Sequence, residues 1–189
     1  MQKLISQLEE YTPFNEQEER DKGVILSALK TQPDIFERSN LIAHMTASAW
    51  VVNKDRSKIL LAYHNIYDSW AWLGGHADGE KDLLKVAMKE VSEESGIKNI
   101  RPVSEDILSV ETLTVDGHEK KGIYVPSHLH LNVTFLIEAD DTEQTRIRVG
   151  ENSNVAWFDR DKAVEMSNEK WFKERIYSKL MKKVYPGNL

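Results

Sequence analysis

Residues Gly74 to Ile97 read GGHADGEKDLLKVAMKEVSEESGI. Within them, Leu83, Leu84, Ala87 and Val91 recur at helical spacing, so Asp82 to Ser95 is expected to be an amphipathic helix. Gly96 stands where a left-handed glycine ends such a helix. Glu93 and Glu94 follow Glu90 by three and four residues, so on a helix all three side chains crowd one face. At ~100° per residue they fall beside the apolar stripe, not opposite it. Carboxylates at the edge of a buried face lose water, and their mutual repulsion grows as water is excluded. A hard divalent cation offsets that repulsion, and Mg²⁺ with phosphate is its usual pairing. Gly74, Gly75 and Gly79 let the backbone take shapes that bring main-chain groups close to a metal or phosphate. An acidic helix face by itself is as often plain solvated surface. The Gly-Gly loop, the apolar register and the closing Gly96-Ile97 favour a site.

Upstream, Ala47–Asn53 and Lys58–His64 are β-rich runs separated by the polar turn 54–57, which reads as a hairpin. Ser69–Leu73 is a further short strand that Gly74-Gly75 is expected to stop. Residues 1–40 are polar and helical, with an Asn15/Glu18 capping box, an apolar stripe of Ile25, Leu26 and Leu29, and a break at Pro33. They are expected to cover a domain spanning 41–189. Downstream, Ile107–Val115 and His128–Glu138 read as strands. In the second, His128, His130, Asn132 and Thr134 share one face, and Leu129, Leu131, Val133 and Phe135 the other. Asn154–Phe158 is a short strand, followed by helices near 161–166 and 169–185. The order of helix, strands, helix, strands, helix places the chain in the mixed α/β or α+β class.

The 189 residues carry a formal charge of −6, with 31 acidic against 25 basic residues and no cysteine. A disulfide scaffold, a thiolate nucleophile and a thiolate zinc site are excluded. The acidic balance argues against a duplex-DNA surface. No apolar run is long enough to span a bilayer, and the N-terminus lacks a secretory h-region, so the cytoplasm is the default compartment.

The stretch resembles the Nudix hydrolase box. Gly75 takes the box's first glycine, and the spacing to Lys89-Glu90-Val91-Ser92-Glu93-Glu94-Ser95-Gly96-Ile97 matches. Three positions depart from it. Glu80 lies one residue ahead of the box's early glutamate, Lys89 stands at the usual arginine, and Leu73 replaces a common proline. A lysine cannot form the bidentate fork of an arginine, which implies looser metal geometry.

The resemblance implies an α+β protein, an α/β/α sandwich whose mixed β-sheet is flanked by helices, with an N-terminal helical extension. It implies a Mg²⁺-dependent hydrolase, with Mn²⁺ as a substitute, cleaving a diphosphate bond in a nucleoside diphosphate linked to another moiety. Glu90, Glu93 and Glu94 would hold metal, joined by the carbonyl of Gly74 and by an acid from a later loop. Glu151 is the candidate and Glu143 the alternative. Lys89 would serve the catalytic set. Gly75, His76 and His130 are candidate substrate contacts, although ordinary hydrogen-bonded histidines are the commoner outcome for His128 and His130. The partner is a small-molecule diphosphate, with no duplex DNA, no membrane and a homodimer as one arrangement. A non-catalytic nucleotide sensor on the same fold is the alternative. An isopentenyl-diphosphate isomerase-like enzyme is disfavoured, because that activity normally uses a cysteine. Trp70 and Trp72 are expected to pack rather than stack on a base, and Trp171 and Phe172 to make core or dimer contacts. Lys179, Lys182 and Lys183 read as a solvated helix face.

Overall fold

The computed structural model describes residues 1–120 and 122–187. In chain order the elements are α1 (Gln2–Glu10), α2 (Glu16–Thr31), β1 (Ala43–Val52), β2 (Lys58–His64), β3 (Ser69–Ala71), β4 (Leu73–His76), α3 (Leu83–Ser95), β5 (Ile100–Pro102), β6 (Ser109–Val115), β7 (His118–Lys120), β8 (Ile123–Val125), β9 (His128–Ala139), β10 (Asn152–Asp159), α4 (Arg160–Ala163) and α5 (Ser178–Val184). A 3₁₀ turn, Val164–Met166, follows α4, and a π-helical stretch, Phe172–Tyr177, leads into α5.

The mixed sheet is ordered β10-β2-β1-β9-β5, with β3 on β2, β4 on β1 and β6 on β9. Its axis is the parallel pair β1/β9, which runs from Ala43 opposite Leu129 to Val52 opposite Glu138. The other edge of β1 is divided. Residues 46–49 pair with β4, and Val51 and Val52 pair with β2. A strand flanked on both edges and covered on both faces must be buried throughout, and every residue of β1 is.

Alternation sorts the two faces. Met45, Ala47, Leu131 and Val133 pack under α1, α2 and α3, against Leu8, Ile25, Leu29, Ala87 and Val91. Trp50, Val52, Ile59 and Leu61 pack on the opposite face against Ala163, Ile176, Tyr177 and Leu180. Helices thus cover both faces, which is the α+β sandwich expected. Each fully buried Leu or Ile contributes about 1.5–3 kcal/mol.

Asn15 caps α2, accepting the Glu18 N–H at 3.0 Å. The Glu18 carboxylate does not return to Asn15, as a capping box would have it. It accepts from Phe14 N at 2.7 Å and from the Tyr11 hydroxyl at 2.6 Å.

Three local expectations are corrected. Gly74-Gly75 does not stop the strand but forms its middle, as β4. A Cβ on Gly74 would lie 2.6 Å from the Ala47 carbonyl oxygen, so close strand pairing explains the glycine. In α3 the buried face is Leu83, Val86, Ala87, Glu90, Val91, Glu94 and Ser95, with Leu84 only half-buried. Finally, Lys179 and Lys183 are not on a solvated face, and only Lys182 is exposed. Lys179 Nζ lies 3.0 Å from Glu111 and 3.2 Å from Glu18, and Lys183 Nζ lies 3.0 Å from Glu18. Ser109 Oγ bridges the Glu18 and Glu111 carboxylates. Two acids and two bases therefore balance in a buried network that ties α2, β6 and α5 together.

Trp70 packs edge-on against Tyr63 and Phe158, and Trp72 against Phe172 and Tyr177. Phe172 belongs to the second core, while Trp171 is exposed. Among the described residues no helix is long and apolar enough to cross a membrane.

Candidate active site

Helix α3 is fixed at both ends by its own sequence. Asp82 accepts the Lys85 N–H at 3.2 Å at the N-cap, and Gly96 takes the left-handed conformation, with φ of 75°. Glu80 braces the entry. Its carboxylate accepts from Lys81 N, Asp82 N and Lys85 Nζ at 2.9, 3.1 and 2.6 Å. The Lys85 contact, helped by these amides, holds its pKa down at about 2.

Two of the three box glutamates are buried against β4. Glu94 Oε2 accepts the Gly74 N–H at 3.0 Å. Burial pushes the Glu94 pKa up to about 8, and the Gly74 amide opposes only part of that rise. Glu90 lies across Gly75. A Cβ there would meet Glu90 Cδ at 2.6 Å, so only glycine lets the carboxylate rest on the strand. Burial raises the Glu90 pKa too, against the pull of Arg148 and Lys89. Glu93 sits at the rim. Lys89 Nζ stands 3.6 Å from Glu90 and 3.6 Å from Glu93, one point charge between two carboxylates.

A loop far along the chain completes the cluster. Arg148 Nη1 lies 2.9 Å from Glu90 Oε2, 3.1 Å from Glu93 Oε2 and 3.1 Å from Glu151 Oε2. The turn carrying Arg148 and Glu151 is locked by Asn152. Its Oδ1 accepts Arg148 N at 2.9 Å, and its Nδ2 donates to the Glu94 carbonyl at 3.0 Å. Glu143, the alternative acid, is elsewhere engaged, accepting the amides of Lys98 and Asn99 at 3.0 and 2.8 Å.

The fit to a divalent cation can be judged from this arrangement. Three carboxylate oxygens from two separate elements converge on a single positively charged nitrogen, and they do so next to a buried fourth acid. An all-oxygen, anionic donor set suits Mg²⁺ or Mn²⁺.

His76 and His130 do not lie apart. Together with His44 and His128 they form a cluster of four imidazoles beside Gly75, with ring centroids 4.8–5.1 Å apart. Sequence reasoning missed His44 and Arg148. His44 faces His130 through the parallel β1/β9 register, which only topology reveals. Arg148 lies in an irregular loop with no local signature.

The family model for the NUDIX domain matches residues 43–180. The chain belongs to the NUDIX family. Similar solved structures include an Ap4A hydrolase from C. elegans, 20% identical, with a TM-score of 0.51 over 74% of this chain and 93% of that one. A NUDIX-family hydrolase from Clostridium perfringens is 19% identical, with a TM-score of 0.52 over 72% and 95%. The E. coli dihydroneopterin triphosphate pyrophosphohydrolase is 13% identical, with a TM-score of 0.53 over 73% and 92%. No curated protein matches the chain.

Proposed function

We propose that this enzyme hydrolyses a phosphoanhydride bond in a nucleoside diphosphate linked to another group, using Mg²⁺, with Mn²⁺ as a substitute. The observation that carries this reading is the convergence of Glu90, Glu93 and Glu151 on one cationic nitrogen within 3.1 Å. Glu94 and the Gly74 carbonyl complete the metal set in this reading. The bound ions would neutralise phosphate charge and acidify a water.

The chain's own groups do the rest. Burial of Glu90 and Glu94 disfavours their charged forms in the metal-free chain, so a bound cation would draw both into the ionised state. A cation on Glu94 would hold it ionised, so in this reading the proton of the attacking water would pass to another carboxylate of the cluster. The Gly74 amide fixes which Glu94 oxygen remains available. Arg148 occupies the focus of the three carboxylates, so it would give way to the ion, and it and the more exposed Lys89 would then add positive charge for a polyphosphate. The bare backbone of Gly75 makes room for the Glu90 carboxylate. Two proteins of similar structure are named for Ap4A and dihydroneopterin triphosphate, both of which contain phosphoanhydrides, and this supports that substrate class.

The test is a panel of nucleoside triphosphates, nucleotide sugars and dinucleotide polyphosphates with Mg²⁺, reading released phosphate or pyrophosphate. Turnover of at least one compound, lost in Glu90→Gln, is expected. Tight binding of a nucleotide without turnover in either metal would replace the hydrolase by a sensor.

A further inference from the structure

Four of the chain's six histidines are gathered at one place. Three strands converge to put them there. His44 is the direct partner of His130 in the β1/β9 ladder, His76 is the partner of Thr46 in the β1/β4 ladder, and His128 lies two residues before His130. One ring nitrogen from each of His44, His76 and His130 lies within 4.8 Å of the other two.

The hydrogen bonding of His44 and His128 sets their tautomers. His44 Nδ1 is 3.0 Å from the Asn40 carbonyl oxygen. A carbonyl only accepts, so Nδ1 carries the proton and Nε2 carries the lone pair. That Nε2 is buried and has no hydrogen-bond partner among the described residues, on a side chain whose residue is 4% exposed. An orphaned buried acceptor is costly and calls for an explanation. The arrangement is that of a metal-binding imidazole, with one nitrogen held by a backbone carbonyl and the other presented. His128 has the same tautomer, with Nδ1 2.8 Å from the Pro126 carbonyl oxygen, but its Nε2 accepts from His130 Nε2 at 3.2 Å, which leaves the His130 lone pair on Nδ1. Burial, and then the neighbouring rings, push the His130 pKa down to about 2 and lower that of His44, which keeps both as neutral bases. The charged groups facing the cluster are Arg38 and Asp78, and these are paired with each other.

We propose that His44, His76 and His130 form a binding site for one borderline transition-metal dication, with zinc as the reference ion, separate from the carboxylate cradle. Three imidazole nitrogens suit zinc, cobalt or nickel and not Mg²⁺, which takes oxygen ligands. Nitrogens at ~2.1 Å from a tetrahedral zinc lie about 3.4 Å apart, so small ring rotations close the set. Three protein ligands leave a fourth position for water or a substrate oxygen. His76 and His130 are half-buried, so that position faces outward. Alternation along β4 turns His76 to the face opposite the one on which Glu90 rests over Gly75, so the two sites are distinct.

The experiment uses the full chain stripped with a chelator and titrated with Zn²⁺ in the presence of millimolar Mg²⁺. We expect one zinc per chain and X-ray absorption showing imidazole nitrogen scattering. His130→Gln, chosen because the residue is only half-buried, should weaken zinc binding by more than about a hundredfold, beyond what loss of an outer-shell partner costs. His44→Gln should do the same, with far-ultraviolet dichroism confirming the fold. Glu90→Gln and Glu94→Gln should keep the zinc. No stoichiometric zinc, zinc displaced by Mg²⁺, or zinc retained in both histidine variants and lost in the glutamate variants would each overturn the site. The hydrolase reading stands or falls separately, on turnover.

Discussion

Glu94 on α3 and Gly74 on β4 are joined by a single hydrogen bond of 3.0 Å, from the backbone amide of the glycine to Oε2 of the acid. That bond orients a buried carboxyl at the centre of the site. Glu94→Gln can keep it through the amide oxygen while losing the charge. We expect the variant to fold normally and to lose at least about a hundredfold in kcat, the scale of a missing electrostatic contact in a transition state. Wild-type turnover in that variant would remove Glu94 from the mechanism.

The same carboxyl predicts a pH effect. Its pKa in the folded, metal-free chain is pushed up to about 8, above the ordinary value of 4.5. Its contribution to stability is therefore fully present below about pH 4.5 and is lost as the pH rises through about 8. Mg²⁺ requires the deprotonated form, so binding at pH 7 should release protons, and metal affinity should rise towards pH 8. Calorimetry in two buffers of different ionisation enthalpy measures this. Equal heats in both would contradict it.

Glycine at position 75 is set by Glu90. Gly75→Ala places a Cβ 2.6 Å from the Glu90 carboxyl carbon, so helix and strand must part. Activity and Mg²⁺ affinity should both fall. The control is Gly23→Ala, on the exposed side of helix α2 with nothing within 4 Å of the new Cβ, which should stabilise by about 0.5–1 kcal/mol. Thermal melting and turnover of the two variants separate the effects.

Lys179 is buried between Glu18 and Glu111. Lys179→Met leaves the carboxylates with one ammonium between them and should destabilise by about 3–5 kcal/mol in urea unfolding. Lys182→Met, on the exposed side, should stay within about 0.5 kcal/mol. Similar midpoints for both would show the network to be energetically idle.

Glu18 adds an acid limb. Burial alone would raise its pKa, but Lys179, the Tyr11 hydroxyl, the Phe14 amide and Lys183 outweigh that, and the net shift is downward. Its stabilising contribution is present above pH 4.5 and is lost as the pH falls through the lower folded value. Glu18→Gln should flatten the acid side of the stability curve, followed by urea midpoints from pH 6 downward.

Local chemistry was readable where neighbours in sequence are neighbours in space. The caps Asn15 and Gly96, the 47–64 hairpin and the alternation of β9 are all of that kind. The crowding of Glu90, Glu93 and Glu94 follows from helix geometry alone. What escaped depended on long-range pairing. Gly74-Gly75 looks like a break until β1 is known to press against it. His44 means nothing until β9 lies alongside with His130 in register. Lys179 and Lys183 look solvated because a sequence does not show that Glu18 and Glu111 wait opposite. Arg148 belongs to a turn whose shape depends on Asn152 reaching the far end of α3.

The four-charge knot joining α2, β6 and α5 has a practical consequence for anyone trimming this protein. The matched family segment begins at residue 43, which invites a shorter version starting there. Such a piece would leave two ammonium groups facing Glu111 alone in the interior, and unless water floods the seam it would precipitate or unravel. The first forty residues are better regarded as half of a clasp whose other half is the final helix.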